Sequence, residues 1–381
     1  MRITVDVSAA VHRHAGLGRY AHELLAALAA RDDTNEYRAF YHATSAREKP
    51  DAPLDRLPAH RAPVGAKVWR MSVLLAHLTG ISMDRWLPRG DIFHATEHLM
   101  PPLRKSKTVF TVHDLIFHFF PEYHLPLNRW YLSLMLPRFL HCADAIIAVS
   151  ENTRRDVAQL LGIPREKMTV IYEGVSPAFR PIRDADVLAR VRARYDLPAR
   201  FLLCLSTIEP RKNLVTLLDA FRALLARDER APDLVIAGRK GWLYQPVFAR
   251  VRELGLERRV HFTDWVAEAD APALINAAEV FVFPSLYEGF GLPPLEAMAC
   301  GLPVVCSNAS SLPEIAGDAA LLVNPRAPDE IAAAIARVLS DAALRDELRA
   351  KSLARAAQFT WERAARETLA VYERVASSKF Q

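Results

Sequence analysis

Short β-branched apolar runs alternate along the chain with longer segments whose apolar residues recur at steps of three and four, which is the order of strands joined by helices. The first run is 3–8; a helical stretch around 21–30 follows, then a second run at 37–42. Further strands are expected at 91–95, 108–113, 145–150 and 168–172, separated by helices such as 127–140 and 152–161. Repeated βαβ order predicts a parallel, doubly wound sheet.

After Gly174-Val175-Ser176-Pro177 and Pro181 the pattern restarts, with strands expected at 201–205, 234–237, 260–263, 280–283, 304–307 and 321–323. The predicted fold is therefore α/β, with two Rossmann-like domains: an N-terminal one over 1–178 and a C-terminal one over 179–358. Residues 359–381 form a terminal helix. Thr360 caps it, and Trp361, Ala364, Ala365, Thr368, Tyr372 and Val375 share one face that has to be packed. That face could cover its own domain or cross back to the first; crossing back is the expectation adopted.

The chain has 381 residues, 51% hydrophobic and 24% charged, which suits two globular cores and excludes a disordered or collagen-like protein. No apolar run approaches the roughly 18 residues of a membrane span, and Arg2 and Asp6 interrupt the stretch a signal peptide would need. A cytoplasmic location follows as an expectation. Cys142, Cys204, Cys300 and Cys306 have neither C-x-x-C nor zinc-site spacing and are expected to be buried thiols. The net charge of +5 is N-terminal: residues 1–180 hold 23 Lys+Arg and 18 Asp+Glu, the remainder 26 of each. That bias suits an anionic acceptor, an anionic membrane surface or nucleic acid, and equally an ordinary solvated surface.

The most specific stretch is Glu288-Gly289-Phe290-Gly291-Leu292-Pro293-Pro294-Leu295-Glu296, ending its helix at Gly301. The glycines allow a ligand close to the backbone, the prolines preset a first helical turn, and Gly301 suits a left-handed stop. A helix N-terminus after a parallel strand favours phosphate. Glu288 could then bind sugar hydroxyls and Glu296 a ribose; otherwise one Glu stabilises a helix start and the other is surface. Following the strand 201–205, Ser206-Thr207-Ile208-Glu209-Pro210-Arg211-Lys212-Asn213 puts two adjacent cations on a loop, suited to a diphosphate.

The Glu288-x7-Glu296 spacing within EGFGLPPLEAMACGLPVV, with SSLPEIAGDAALLVNP after it, resembles the donor site of retaining glycosyltransferases of the GT-B fold, family 4 (group 1) type. The resemblance covers nearly the whole chain, is strongest over 201–325, and extends to bacterial mannosyltransferases of surface-polysaccharide assembly. It implies two facing Rossmann-like domains, a nucleoside diphosphate sugar held mainly by the second, and an acceptor approached from the first. EPRKN is similar to the family's diphosphate-binding loop, which makes Arg211 and Lys212 the phosphate cations, although Ser206 and Thr207 depart from the Gly then Thr or Arg of many relatives. No D-x-D motif lies near a strand end, so neither a metal nor another cofactor is expected. His113, closing a strand, resembles the family's active-site histidine, which would bind the transferred sugar and fix its pose.

Gly16-Leu17-Gly18-Arg19-Tyr20-Ala21 satisfies the dinucleotide pattern G-x-G-x-x-A, which makes an NAD-dependent oxidoreductase a rival. Against it, the first glycine comes eight residues after Ser8, and no ribose-binding acid ends the strand 37–42. The same residues resemble the family's glycine loop, with Gly16 and Gly18 against the donor phosphate. His94 and His98, four apart, could hold zinc, but a strand running into a loop would separate the rings, so this loop is expected to line the cleft. Residues 68–78, 117–120 and 130–140, mixing apolar and basic side chains, could dock on a bilayer; burial inside the first domain is the expectation.

The resemblance implies a retaining, metal-independent hexosyltransferase. Its donor would be GDP-mannose, with UDP-glucose and UDP-N-acetylglucosamine as alternatives, and its acceptor a glycan or lipid-linked glycan. No nucleic-acid partner is implied, and peripheral association with the inner face of the membrane stays open. A catalytically silent nucleotide-sugar-binding protein is the second rival.

Overall fold

The computed structural model describes residues 1–377. The chain forms two compact units, one built from Met1–Gly174 and the segment from Thr360 onward, the other from Val175–Phe359.

The first unit holds seven parallel strands: β1 (Arg2–Asp6), β2 (Glu36–His42), β3 (Ala59–Ala62), β4 (Ile92–Ala95), β5 (Lys107–Val112), β6 (Ala145–Ala148) and β7 (Met168–Val170). Their order is β3-β2-β1-β4-β5-β6-β7, so the winding reverses between β1 and β4. Strand β3 was missing from the sequence reading because Ala-His-Arg-Ala offers no apolar run; an edge strand partnered only by β2 does not need one. The central β4 and β5 are buried at every position, as a parallel sheet covered on both faces requires.

The helix Trp361–Ser377 belongs to this first unit. Thr360 Oγ1 accepts the Arg363 N–H at 3.1 Å, and all six positions of the expected stripe are buried, with Val371 added. Tyr372 Oη lies 2.6 Å from His94 Nδ1, whose other nitrogen meets Thr111 Oγ1 at 2.7 Å, which in turn is 2.9 Å from Tyr20 Oη. The chain leaves and re-enters this unit at one place: a Cβ on Gly174 would stand 2.2 Å from the Trp361 nitrogen, so only glycine fits there. Of the expected terminal segment 359–381, residues 378–381 lie outside those described.

The second unit has six parallel strands, β8 (Phe201–Leu205), β9 (Asp233–Ala237), β10 (Val260–Phe262), β11 (Val280–Phe283), β12 (Val304–Ser307) and β13 (Leu321–Val323). They run β10-β9-β8-β11-β12-β13, reversing between β8 and β11. In open parallel sheets, ligands bind beyond the carboxyl ends of the strands flanking such a reversal. Each unit has one.

Candidate functional site

In the second unit, the loop leaving β8 makes a single 3-10 turn, Pro210–Lys212, and then places Asn213 in the left-handed region at φ 58° before the helix Leu214–Arg227. The Asn213 amide donates to the carbonyls of Pro284 at 3.1 Å and Pro325 at 2.6 Å, and the Leu286 N–H donates to the Arg211 carbonyl at 2.9 Å. Three loops, leaving β8, β11 and β13, are thereby stitched together, which fixes where Arg211 and Lys212 point.

They point at Glu288. Arg211 Nη1 lies 2.5 Å from Glu288 Oε2, Lys212 Nζ lies 2.6 Å from Oε1, and Ser285 Oγ donates to Oε1 at 2.6 Å. Arg211 also contacts Glu209 Oε1 through Nη2 at 2.7 Å. Burial alone would push the Glu288 carboxyl up, but the two cations and Ser285 outweigh it and bring it down to about 2. Lys212 is lowered from its ordinary value by burial and by Arg211, with Glu288 and Glu209 opposing. The cluster is thus two cations and two carboxylates, preorganised at the β8–β11 reversal.

The loop carrying Glu288 is clamped from the other side. Its N–H donates to Ser310 Oγ at 2.8 Å, and Ser311 Oγ donates to the carbonyls of Glu288 at 2.9 Å and Phe290 at 2.7 Å. Gly291, at φ 118°, turns the chain into the helix Leu292–Ala299, and Gly301 at φ 73° follows its end. The helix start offers fewer amides than its sequence suggests, because Pro293 and Pro294 occupy its first turn and carry no N–H. Leu292 has the only backbone N–H of the helix ahead of Leu295, so a phosphate would lean on the loop Gly289-Phe290-Gly291 and on side chains. Glu296 sits one turn in and is buried.

The loop after β9, not among the candidate site segments expected from the sequence, also borders this cluster's loop. Ile208 N–H donates to the Arg239 carbonyl at 3.0 Å and the Gly241 N–H to the Ile208 carbonyl at 3.0 Å, which brings exposed Arg239 and Lys240 beside the β8 loop. Gly238, at φ 140°, packs so tightly that a Cβ would lie 2.0 Å from the Ser206 carbonyl oxygen. Ala-Gly-Arg-Lys-Gly directly after an apolar strand was the available signal.

In the first unit, the β1–β4 reversal gathers acids and histidines. Asp6 ends β1; its Oδ1 accepts the Ser8 N–H at 2.8 Å, its main-chain carbonyl accepts the Thr96 hydroxyl, and its buried Oδ2 has no partner. Burial, with Glu97 adding to it, pushes the Asp6 carboxyl up to about 7, against Ser8 and His42. Glu97 stands 3.9 Å from both His14 Nδ1 and His42 Nε2. Burial would raise it, but His42, His14 and His98 hold it below its ordinary value. His113 donates from Nε2 to the Thr96 carbonyl at 2.8 Å, turns Nδ1 toward Glu173 at 3.5 Å and meets the Tyr20 ring edge-on. Asp6, His42 and Glu173 had no assigned role in the sequence reading, although an acid or histidine closing an apolar strand marks the ligand edge of such a sheet.

Several expectations change. Gly16 and Gly18 do not sit in a loop: the helix Ala15–Arg31 already includes both. Gly18 is a packing residue, since a Cβ there would stand 2.8 Å from the Ala9 carbonyl oxygen, whereas Gly16 faces open space in the exposed first turn. A second short helix, Ser8–Val11, separates β1 from these glycines, so the strand-to-glycine turn of a dinucleotide site is missing. His94 does not line an open edge; it is buried with both nitrogens engaged, and burial lowers it to about 3. Cys142 is exposed at the end of its helix, while burial raises Cys204, Cys300 and Cys306 to about 12. Residues 68–78 and 130–140 are buried on one side only.

Residues 190–355 match the family described as glycosyl transferases group 1, and residues 14–179 match glycosyltransferase family 4. The O-antigen chain mannosyltransferase B of Escherichia coli is 33% identical over 366 residues, covering 94% of this chain and 96% of that protein. Among solved structures, sucrose-phosphate synthase from Thermosynechococcus elongatus superposes with a TM-score of 0.77 at 22% identity, over 99% of this chain and all of the other. HepE from Anabaena in complex with UDP-glucose does so at 0.72 and 19%, over 98% of this chain and all of the other.

Proposed function

This chain belongs to the group 1 glycosyltransferases of family 4, and from that premise we propose that it transfers mannose from GDP-mannose to a glycan or lipid-linked acceptor of a surface polysaccharide, with retention at the anomeric carbon. The observation that carries this reading is the Arg211–Lys212–Glu288 cluster at the β8–β11 reversal. Breaking the bond between the anomeric carbon and a diphosphate oxygen puts growing negative charge on the leaving nucleotide. Two cations already oriented and largely desolvated stabilise that charge without reorganising, and they supply what a divalent metal would otherwise provide. Mannose is favoured because the mannosyltransferase of Escherichia coli aligns along almost the full chain.

Within this reading Glu288 has two tasks, holding the cations and accepting hydroxyls of the sugar. Glu296 binds the ribose, and the Gly289–Leu292 turn and the Gly16 turn offer backbone to the donor. His113 sets the pose of the transferred sugar rather than moving a proton, since Thr96 and Glu173 hold both sides of its ring.

Calorimetry with GDP-mannose, UDP-glucose, UDP-N-acetylglucosamine, GDP and NAD tests the donor, and NMR of the product's anomeric proton tests the stereochemistry. Selective binding of GDP-mannose and an α-linked product in the presence of a chelator are expected. Selective binding of a UDP-sugar would replace the donor, a β-linked product would remove retention, and loss of turnover with chelator would restore a metal. Tight NAD binding alone would favour an oxidoreductase, and a bound donor that is never consumed a silent binding protein.

A further inference from the structure

The ring of His113 has two nitrogens, and the first unit sets an oxygen against each. Nε2 stands 2.8 Å from the Thr96 carbonyl oxygen, and Nδ1 stands 3.5 Å from Glu173 Oε1. A carbonyl only accepts, so Nε2 carries the hydrogen of that bond. Nδ1 then faces a carboxyl oxygen that has lone pairs of its own. The contact is attractive only with a hydrogen between the two, on the ring or on the carboxyl group. Without one, two lone pairs would meet where water cannot easily separate them, because Glu173 is 5% and His113 7% exposed.

The backbone under Glu173 is fixed on both sides. The Ile171 N–H donates to the Ala148 carbonyl at 3.0 Å, which continues β7 past its last residue, and Gly174 packs against the Trp361 backbone too closely for a Cβ. Trp361 supports the imidazole by a second route: its ring lies 5.9 Å from that of Tyr20, and Tyr20 meets His113 edge-on at 4.8 Å. The His113 main chain is tied as well, its carbonyl accepting the Thr153 hydroxyl at 3.0 Å. Thr96 bonds one ring nitrogen through its main chain; Glu173 is the side chain set against the other. A ring turned over about its Cβ–Cγ bond would place carbon atoms against both oxygens.

We propose that Glu173 is a positioning residue for glycosyl transfer: by keeping a hydrogen against His113 Nδ1 it locks the imidazole in the orientation that Thr96 also accepts, and so fixes the surface that His113 presents to the transferred sugar. This rests on the reading of His113 as the residue that sets the sugar's pose. Position 173 has to supply a held hydrogen rather than a charge. A Gln amide N–H serves Nδ1 when Nε2 bears the ring hydrogen, whereas an apolar side chain of similar size does not.

Turnover of GDP-mannose by the full chain, measured beside nucleotide affinity and melting temperature, tests the functional half. Glu173→Leu should cut kcat about tenfold or more with nucleotide affinity kept, the scale of a small misplacement of a positioned group. Glu173→Gln should recover most of that loss. In a His113→Ala background Glu173→Leu should have no further effect, because it acts through the ring. If Glu173→Leu does not fold, Glu173→Asp, which withdraws the carboxyl group by one methylene, carries the same expectation. Long-range proton–nitrogen NMR of the imidazoles, with His113 assigned by its absence from His113→Ala, reads the ring without reference to activity. Nδ1 should resonate upfield of a bare ring nitrogen in the wild type and in Glu173→Gln, and move to the bare position in Glu173→Leu. Undiminished kcat in Glu173→Leu, a Gln variant no better than Leu, full additivity with His113→Ala, or an Nδ1 signal indifferent to Glu173→Leu would each overturn the proposal. Wild-type turnover by His113→Ala would instead count against the site reading, while the Nδ1 signal still decides whether Glu173 holds the ring.

Discussion

Lys212 Nζ and Glu288 Oε1 lie 2.6 Å apart although 76 residues separate them, and the contact spans the reversal between β8 and β11. With Arg211 on the other carboxylate oxygen, one acid sets the distance between two cations. On the proposed reading, receiving a diphosphate and stabilising the unit therefore fall to the same side chains.

Glu288→Gln should lose both. Removing the charge leaves two cations without their main counter-charge, at a cost of about 3 kcal/mol for breaking a buried pair, read as a lower urea midpoint. The wild-type carboxyl, at about 2 rather than its ordinary 4.5, stabilises the fold fully above that ordinary value and loses the contribution as pH falls through about 2. The Gln variant should lack this acid-side loss, and transfer should fall by about two orders of magnitude, the scale of losing a preorganised electrostatic group. Wild-type transfer would remove Glu288 from the sugar site.

Arg211→Ala or Lys212→Ala should weaken nucleotide binding at least about tenfold, as loss of a charge-assisted contact does. His113→Ala should instead cut turnover with nucleotide affinity largely kept. Calorimetry beside a transfer assay separates the two classes; transfer at wild-type rates in all three variants would refute the site assignment.

Much of this was legible beforehand. Every strand but β3, the Thr360 cap and the buried stripe on the terminal helix follow from local sequence, most of it apolar periodicity. Closure of the Arg211–Glu288 pair is not local: it depends on Asn213 bonding Pro284 and Pro325, partners that only the folded topology brings together. The Asp6–His42–Glu97 grouping escaped for the same reason, each member looking like an ordinary strand end until three strands align. Apolar content could not separate the inward from the outward face of Ala66–Thr79, because both faces are apolar.

Asp6→Asn should stabilise the protein at pH 8 more than at pH 5. The native carboxyl, raised to about 7, favours the protonated fold, so its contribution declines as pH rises from the unfolded value near 3.8 and is a full penalty above about 7. An amide carries no such charge and can still accept the Ser8 N–H. Thermal melts across that range check the sign; an equal shift at both pH values would contradict the buried neutral acid.

The two N-terminal glycines should respond oppositely to alanine. Gly18→Ala forces a Cβ to within 2.8 Å of the Ala9 carbonyl oxygen and should lower the melting temperature. Gly16→Ala meets open space in a helical turn and should stabilise the free protein by about 0.5 kcal/mol, the helix preference of Ala over Gly. A higher donor KM in Gly16→Ala alone would show that the donor approaches this turn; an unchanged KM would exclude it.

The first unit takes its last helix from beyond the whole of the second, with Tyr372 reaching back to His94. On the ribosome the order of maturation is consequently inverted: the later-encoded unit has all its residues in hand while the earlier one waits with its Tyr20–Thr111–His94 network uncapped. A nascent chain halted before residue 361 presents the cell's chaperones with one finished unit and one that is still incomplete.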